Sequence, residues 1–142
     1  MSDMNLTAPP VHPNRYALTD PNVPVPTEPD RVRHMLEAID RLEETASCFS
    51  AVDFLVEELP QNAACRAFGI LGTAAGAVST DLQRTCPAVA WKRWEQYGAD
   101  LLINYDEVNY KLLWHKIISD LPGLRKELEK ILEIETKPGP IS

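Results

Sequence analysis

The side chains of this chain that could move a proton near neutral pH are its three histidines, His12, His34 and His115. An imidazole titrates near neutrality, and a nearby guanidinium can hold phosphate oxygens through its planar fork of donors. His34 directly follows Arg33 in a helical stretch. Arg66 lies in a later helical stretch and could face a cleft that it shares with these two residues. We therefore take Arg33, His34 and Arg66 as candidate cleft residues, although a solvated or hydrogen-bonded histidine is the commoner outcome.

No other arrangement of residues typical of an enzyme stands out in the sequence. There is no Ser/His/Asp series, no glycine-rich phosphate loop and no pair of carboxylates in a catalytic pattern. The three cysteines, Cys48, Cys65 and Cys86, are far apart and match no zinc-binding spacing. We therefore predict no metal site and no cofactor, with free thiols in a reducing compartment.

Charge and hydropathy limit the classes of partner. The 142 residues include 14 Lys and Arg against 21 Asp and Glu, a formal net charge of -7. This balance disfavours broad nucleic-acid binding, so RNA binding is expected to be weak or absent. The N-terminus lacks an apolar leader, and the longest nearly apolar run, "AFGILGTAAGAV", is too short to span a bilayer. The sequence predicts one cytoplasmic domain without a membrane segment.

Proline and hydrophobic periodicity divide the chain into three parts. Seven of the 12 prolines precede Asp30, and proline disfavours helix, so residues 1–29 are predicted to form a flexible arm. An arm that packs on a partner is the alternative. Residues 30–135 are predicted to form an antiparallel all-α bundle of about five to seven helices, and residues 136–142 a flexible tail. In the first helix the apolar positions recur at helical spacing: Val32, Met35, Leu36, Ile39 and Leu42.

Particular residues predict where the later helices begin, end and pack. Pro60 is expected to end a short second helix, and Asp120 to cap the last helix. A glycine-rich third helix, "NAACRAFGILGTAAGAVS", is expected to be central, because glycine lets a neighbouring helix approach closely. The fifth helix is predicted to run from about Ala90 to Tyr105. Its stripe of Trp94, Gly98, Leu101 and Tyr105 favours helix packing.

Several segments resemble the HepT-like branch of the HEPN proteins, a family of ribonuclease toxins that pair with small nucleotidyltransferases. "RVRHMLEAIDRLEE" resembles the opening helix of that family, and "CRAFGILGTAAGAVS" is similar to its third helix. "PAVAWKRW" resembles the start of its fifth helix, and "YDEVNYKLLWHKIISDLPGLRKELEKIL" its closing pair of helices. The resemblance covers about residues 30–132 and implies an all-α HEPN bundle.

The same resemblance places a ribonuclease motif on the fifth helix. Active members carry an arginine, a histidine after four intervening residues, and a tyrosine after one more. With the flanking tryptophans aligned, Gly98 takes the place of the arginine and Ala99 that of a common asparagine. Ile103 replaces the histidine, and Tyr105 matches the tyrosine. Neither replacement can accept a proton or hold a phosphate, and loss of a charge stabiliser alone commonly lowers rates by ~10²–10³-fold. We therefore predict no catalytic residue at these positions.

The resemblance also implies partners and a modification site. It implies a homodimer across the fifth helix and an MntA-type nucleotidyltransferase partner in a toxin–antitoxin module. In such pairs the partner attaches AMP to the tyrosine that Tyr105 matches, so Tyr105 is a candidate modification site. The leading hypothesis is a non-catalytic HepT-like protein that acts by binding. The alternatives are an active metal-independent ribonuclease that uses displaced residues, and a helical interaction module unrelated to toxin systems.

Overall fold

A computed structural model describes residue 20 and residues 22–136 of the chain. Within that part the regular structure is helical and contains no strand, which confirms the predicted all-α fold. The helices are α1 (Glu28–Cys48), α2 (Ala51–Val56), α3 (Glu58–Ala77), α4 (Thr80–Thr85), α5 (Trp91–Ile103), α6 (Tyr110–His115) and α7 (Leu121–Thr136).

The predicted terminal segments fall mostly outside the described residues. Residues 1–19 and 21 of the predicted arm, and residues 137–142 of the predicted tail, are not described. Helix α1 begins at Glu28, slightly before the predicted bundle of residues 30–135, and α7 ends at Thr136. Flexibility of the two segments therefore stays a prediction.

Helix α1 begins at a capping box. The Thr27 side chain accepts a hydrogen bond from the Asp30 amide, and the Asp30 carboxylate accepts one from the Thr27 amide at 2.9 Å. These bonds satisfy two amides that a helix N-terminus would otherwise leave unpaired. The apolar stripe predicted for this helix faces the core, with Val32, Met35 and Ile39 fully buried.

Helix α3 is the central element, as its glycine-rich sequence predicts. It packs against α1 on one side and against α5 on the other. At the contact with α5, Gly72 and Gly98 face each other through backbone atoms. A β-carbon added at Gly98 would lie 2.9 Å from the Phe68 carbonyl oxygen and 3.3 Å from the Gly72 α-carbon. The two helices can approach this closely only because neither position carries a side chain.

Pro60 does not end the second helix, contrary to the sequence prediction. Helix α2 ends at Val56, and Glu57 is extended at φ -104° and ψ 127°. Pro60 instead lies in the first turn of α3. The structure can place it there because amides in the first turn of a helix have no partner within the helix, so proline forfeits no hydrogen bond.

The prediction that Asp120 caps a separate last helix is also wrong. Helices α6 and α7 are continuous through a π-helical turn, Lys116–Asp120, in which the Leu121 amide donates to the Lys116 carbonyl. Pro122 is the second residue after this turn. Its ring would clash with the carbonyl four residues earlier in a regular α-helix, and a π turn widens the backbone at that point.

Arg125 joins α7 to α1 on the outside of the bundle. Its guanidinium forms ion pairs with Asp40 and with Glu43, the latter at 2.7 Å, and approaches Glu129 at 3.5 Å. A planar fork of donors suits several carboxylates at once. The pairs therefore help to hold α7 in register on α1.

Tyr97 on α5 is half-buried beside the α3 contact. Its ring lies edge-on to the Phe68 ring, with centroids 5.2 Å apart, and the Lys116 ammonium lies 4.7 Å from its centroid. Burial raises the pKa of Tyr97 to about 12, and the neighbouring Cys65 thiol adds to the shift. The folded protein therefore favours the neutral phenol.

We expect the free energy of unfolding to fall as the pH rises from about 10 to about 12. The unfolded chain loses the Tyr97 proton near the ordinary pKa of 10.0, whereas the folded chain keeps it to about 12. Unfolding therefore releases a proton in this window, and stability is lost as the pH increases. Urea unfolding at a series of pH values should show a shallower decline for Tyr97→Phe than for the wild type. Equal declines would contradict this assignment, and below pH ~10 the two slopes should agree.

Candidate functional site

A groove of about 970 Å³ runs along α3 and α5 and is also lined by residues of α1. We call it the α3–α5 groove. Residues one or two turns apart on each helix line it, as expected for one helix face. Its polar and apolar lining side chains include Arg31, His34, Arg66, Thr73, Glu95, Ala99, Leu102 and Tyr105, and its floor includes Gly69, Gly72 and Gly98.

Two of the three predicted cleft residues, His34 and Arg66, line the α3–α5 groove, and Arg33 does not. Arg33 forms a 3.1 Å ion pair with Asp30 along the exposed side of α1. Arg31 takes its place beside the groove. Residues 31 and 34 are one turn apart and share a helix face, whereas adjacent residues point in different directions. The sequence signal for Arg31 was therefore its helical spacing from His34.

Cationic side chains from two helices line the α3–α5 groove. Arg31 and His34 come from α1 and Arg66 from α3. Within residues 22–136, Arg66 forms no ion pair with a carboxylate. Its guanidinium is therefore available to an anion in the groove. Such a cluster can bind a phosphate group, but binding alone does not provide a proton acceptor at the motif on α5.

Glu95 is a groove residue that sequence reasoning missed. Its carboxylate lies directly over Gly76, so a β-carbon at that position would collide with it. Glu95 precedes Gly98 by one helical turn, and that spacing was the available signal. The carboxylate also brings a negative charge to the groove, in contrast to the three cationic side chains.

The motif positions on α5 separate into buried and exposed residues. Gly98 is buried against α3, and Ala99 is exposed beside the groove. Ile103 does not line the groove and is 70% exposed. The aligned stretch therefore offers the groove neither an imidazole nor a guanidinium.

Tyr105 does not belong to the packing stripe predicted for α5. The helix ends at Ile103, and Tyr105 lies in the following turn with 75% of its surface exposed. The stripe is real as far as Leu101, which is buried. Beyond it, the α5 residue Leu102 and then Tyr105 extend the groove wall toward solvent. The phenol is therefore accessible to another macromolecule.

The remaining histidines do not join this site. His12 lies outside the described residues. His115 is exposed at the end of α6, with its Nδ1 atom 3.5 Å from the Ser119 hydroxyl. Across residues 22–136, no three His, Cys, Asp or Glu side chains come together in a way that could hold a metal ion. No helix in the described part of the chain is long and apolar enough to cross a membrane.

Comparisons with known proteins find relatives that are named as ribonucleases. The chain is 29% identical over 102 residues to the "Probable ribonuclease HepT" of Thermococcus cleftensis, covering 72% of this chain and 93% of that protein. It is 27% identical over 104 residues to a protein of Caldanaerobacter subterraneus whose name gives RNase as its proposed activity, covering 73% and 93%. No solved structure is a significant match.

The family itself is established by a match over most of the bundle. The family model described as "Ribonuclease HepT-like" matches residues 35–131, from the middle of α1 to the last turns of α7. That span includes all of α3 and α5 and hence both walls of the α3–α5 groove. The chain belongs to the HepT-like ribonuclease family.

Proposed function

We propose that this chain is a HepT-like HEPN-domain protein that does not cleave RNA at its motif and acts by binding other proteins. The observation that carries the proposal is the state of the motif on α5. Gly98 contributes only backbone to a helix contact, and Ile103 is an exposed aliphatic residue. RNA cleavage without a metal needs a proton acceptor and a cation at the phosphate, and these two residues supply neither.

The exposed end of α5 supports a binding role. Leu102, Ile103 and Tyr105 are large residues within four positions of each other and are 78%, 70% and 75% exposed. Apolar side chains grouped in this way on a surface commonly mark a protein interface. We infer that two copies of the chain meet across this end of α5 and form a homodimer, as the family resemblance implies.

A nucleotidyltransferase of the MntA type is the second partner that we propose. The exposed phenol of Tyr105 at the edge of the α3–α5 groove supports it, because an enzyme that attaches AMP must reach the hydroxyl. A toxin–antitoxin-type module in the cytoplasm is the setting that such a pair implies. The gene beside the one for this chain would identify the partner.

We expect Leu102→Asp with Ile103→Asp to convert the proposed dimer into a monomer. Buried carboxylates without partners oppose association, and both side chains are exposed in the single chain, so the fold itself should survive. Light scattering coupled to size exclusion would give the two masses. The pair Val52→Asp with Val56→Asp on α2 is the matched control and should leave the dimer intact. A dimer that persists in the α5 variant would show that the interface lies elsewhere.

We expect the purified protein to leave single-stranded and structured RNA uncut, even without metal chelators. The measurement is a gel assay with end-labelled RNA, with an active HepT relative as the positive control. Cleavage that follows the protein through several purification steps would refute the loss of activity at the motif.

A ribonuclease that uses displaced residues is the second candidate, because the α3–α5 groove brings His34 and Arg66 together with Tyr105. If cleavage occurs, His34→Ala and Arg66→Ala should each abolish it under this alternative. Arg33→Ala removes a guanidinium from the same stretch of α1 but outside the groove, so it is the matched control. Equal loss in all three variants would exclude a site in the groove.

A further inference from the structure

A second apolar surface lies on α2 and the start of α3, formed by Val52, Leu55, Val56 and Leu59. We call it the α2 surface. Val52, Val56 and Leu59 are 71%, 73% and 77% exposed. Val52 and Val56 are one turn apart on the same face of α2. Leu59 follows Val56 by three residues, so their α-carbons lie within about 11 Å of each other.

The fold does not require these aliphatic side chains. Phe54 anchors α2 to the bundle and is fully buried. Its ring centroid lies 6.1 Å from that of Tyr110 and 5.1 Å from that of Trp114. Val52 and Val56 are each two positions from Phe54 and point away from that contact. Their exposure leaves apolar area that a partner could bury.

The charge around the α2 surface favours one kind of partner. Residues 51–59 read "AVDFLVEEL" and include Asp53, Glu57 and Glu58 but no Lys, Arg or His. All three carboxylates are exposed. If two copies met at this surface, the acidic groups of both would face each other, and such repulsion opposes association. A partner with lysine or arginine beside its apolar side chains would complement both the charge and the hydrophobicity.

We propose that the α2 surface docks a basic amphipathic helix of a partner protein. The apolar side of that helix covers Val52, Val56 and Leu59, and its basic flanks face Asp53, Glu57 and Glu58. The surface is separate from the α3–α5 groove, since none of its residues lines that groove. The chain therefore carries two interaction surfaces of different character.

A fluorescent amphipathic peptide of leucine and lysine tests the proposal. Its binding to the full-length protein is measured by anisotropy beside a peptide in which every lysine is glutamate. Val56→Ser with Leu59→Ser removes apolar area and keeps the charges. Glu57→Gln with Glu58→Gln removes charge and keeps the apolar area. Val23→Ser with Val25→Ser is the matched control, because both side chains are exposed before the start of α1 and the net charge stays that of the wild type.

Each α2 pair should weaken binding of the lysine peptide about tenfold or more, as truncation of interface anchors commonly does. The Val23/Val25 pair should bind as the wild type does, and the glutamate peptide should bind more weakly than the lysine peptide. Thermal unfolding should be unchanged in all variants, because the substituted side chains are exposed. Unaltered binding by the α2 pairs, or equal loss in the Val23/Val25 pair, would overturn the proposal. A smaller mass for Val56→Ser with Leu59→Ser in light scattering would also overturn it, because a second copy would then be the occupant.

Discussion

Replacing Gly98 with arginine should destabilise the protein and should not restore ribonuclease activity, even when Ile103→His is added. The reason is the contact between α3 and α5. Already the first side-chain atom at position 98 would lie 2.9 Å from the Phe68 carbonyl oxygen and 3.3 Å from the Gly72 α-carbon. Both neighbours are backbone atoms, so the helices themselves must separate to admit a side chain.

Alanine at position 98 measures the steric part of this effect. We expect Gly98→Ala to lower the free energy of unfolding by about 1–3 kcal/mol, the usual range for overpacked sites. Gly98→Arg should lower it further. Urea unfolding at one fixed protein concentration is the measurement, because dimerisation makes apparent stability depend on concentration. The RNA assay on the double variant then shows whether the restored side chains can act.

Gly69→Ala is the matched control for this prediction. Gly69 lies in α3 beside the same contact, but a β-carbon there would meet no atom within 4 Å. The better helix propensity of alanine should raise stability by up to about 1 kcal/mol. If Gly98→Ala also raises the free energy of unfolding, the inference that α3 and α5 are too close for a side chain at position 98 is wrong. Appreciable RNA cleavage by Gly98→Arg with Ile103→His would show that the groove can still hold a transition state.

Phe68→Ala should have the largest effect of any single truncation at the α3–α5 contact. Phe68 is 1% exposed, and its ring stacks on Trp94 with centroids 6.3 Å apart and packs edge-on against Tyr97 at 5.2 Å. Truncation of a buried phenylalanine lowers the free energy of unfolding by about 3–5 kcal/mol. This is a large share of the ~5–15 kcal/mol by which domains are typically stable.

Two further variants separate the causes of the loss. Phe68→Leu keeps most of the volume and removes the aromatic contacts, which are each worth about 0.5–1.5 kcal/mol. Tyr105→Ala removes an exposed ring beyond the end of α5 and should change stability by less than about 0.5 kcal/mol. Denaturant midpoints order the three variants. A Phe68→Ala loss no greater than that of Tyr105→Ala would mean that the rings do not hold α5 on α3.

Local patterns were enough to predict most of the helices. The i, i+3, i+4 recurrence in α1 and the glycines spaced along α3 depend on neighbours within one or two turns. The structure confirms both: Val32, Met35 and Ile39 are buried, and α3 packs closely against α5 at Gly72. Periodicity is visible in sequence because it acts over short distances along the chain.

The same local rules did not determine where some helices begin and end. Proline ends or kinks a helix interior but is accepted in a first turn, so Pro60 fitted both the end of α2 and the start of α3. Pro122 similarly fitted either the start of a separate helix or a continuous helix with a π turn. In the structure, Pro60 lies in the first turn of α3, and Pro122 follows a π turn in a continuous helix. The local sequence does not fix where the carbonyl four residues before a proline will lie, and that position decides whether the helix can continue.

The sequence by itself determined the helical class, the family and the absence of an imidazole and a guanidinium at the α5 motif. Only the tertiary structure decided that Gly98 meets Gly72, that Arg31 and not Arg33 reaches the groove beside His34, and that Tyr105 lies beyond the end of α5. These outcomes depend on how far apart two helices settle and how each is rotated about its axis. That arrangement is set by the sum of many packing contacts between residues distant in sequence.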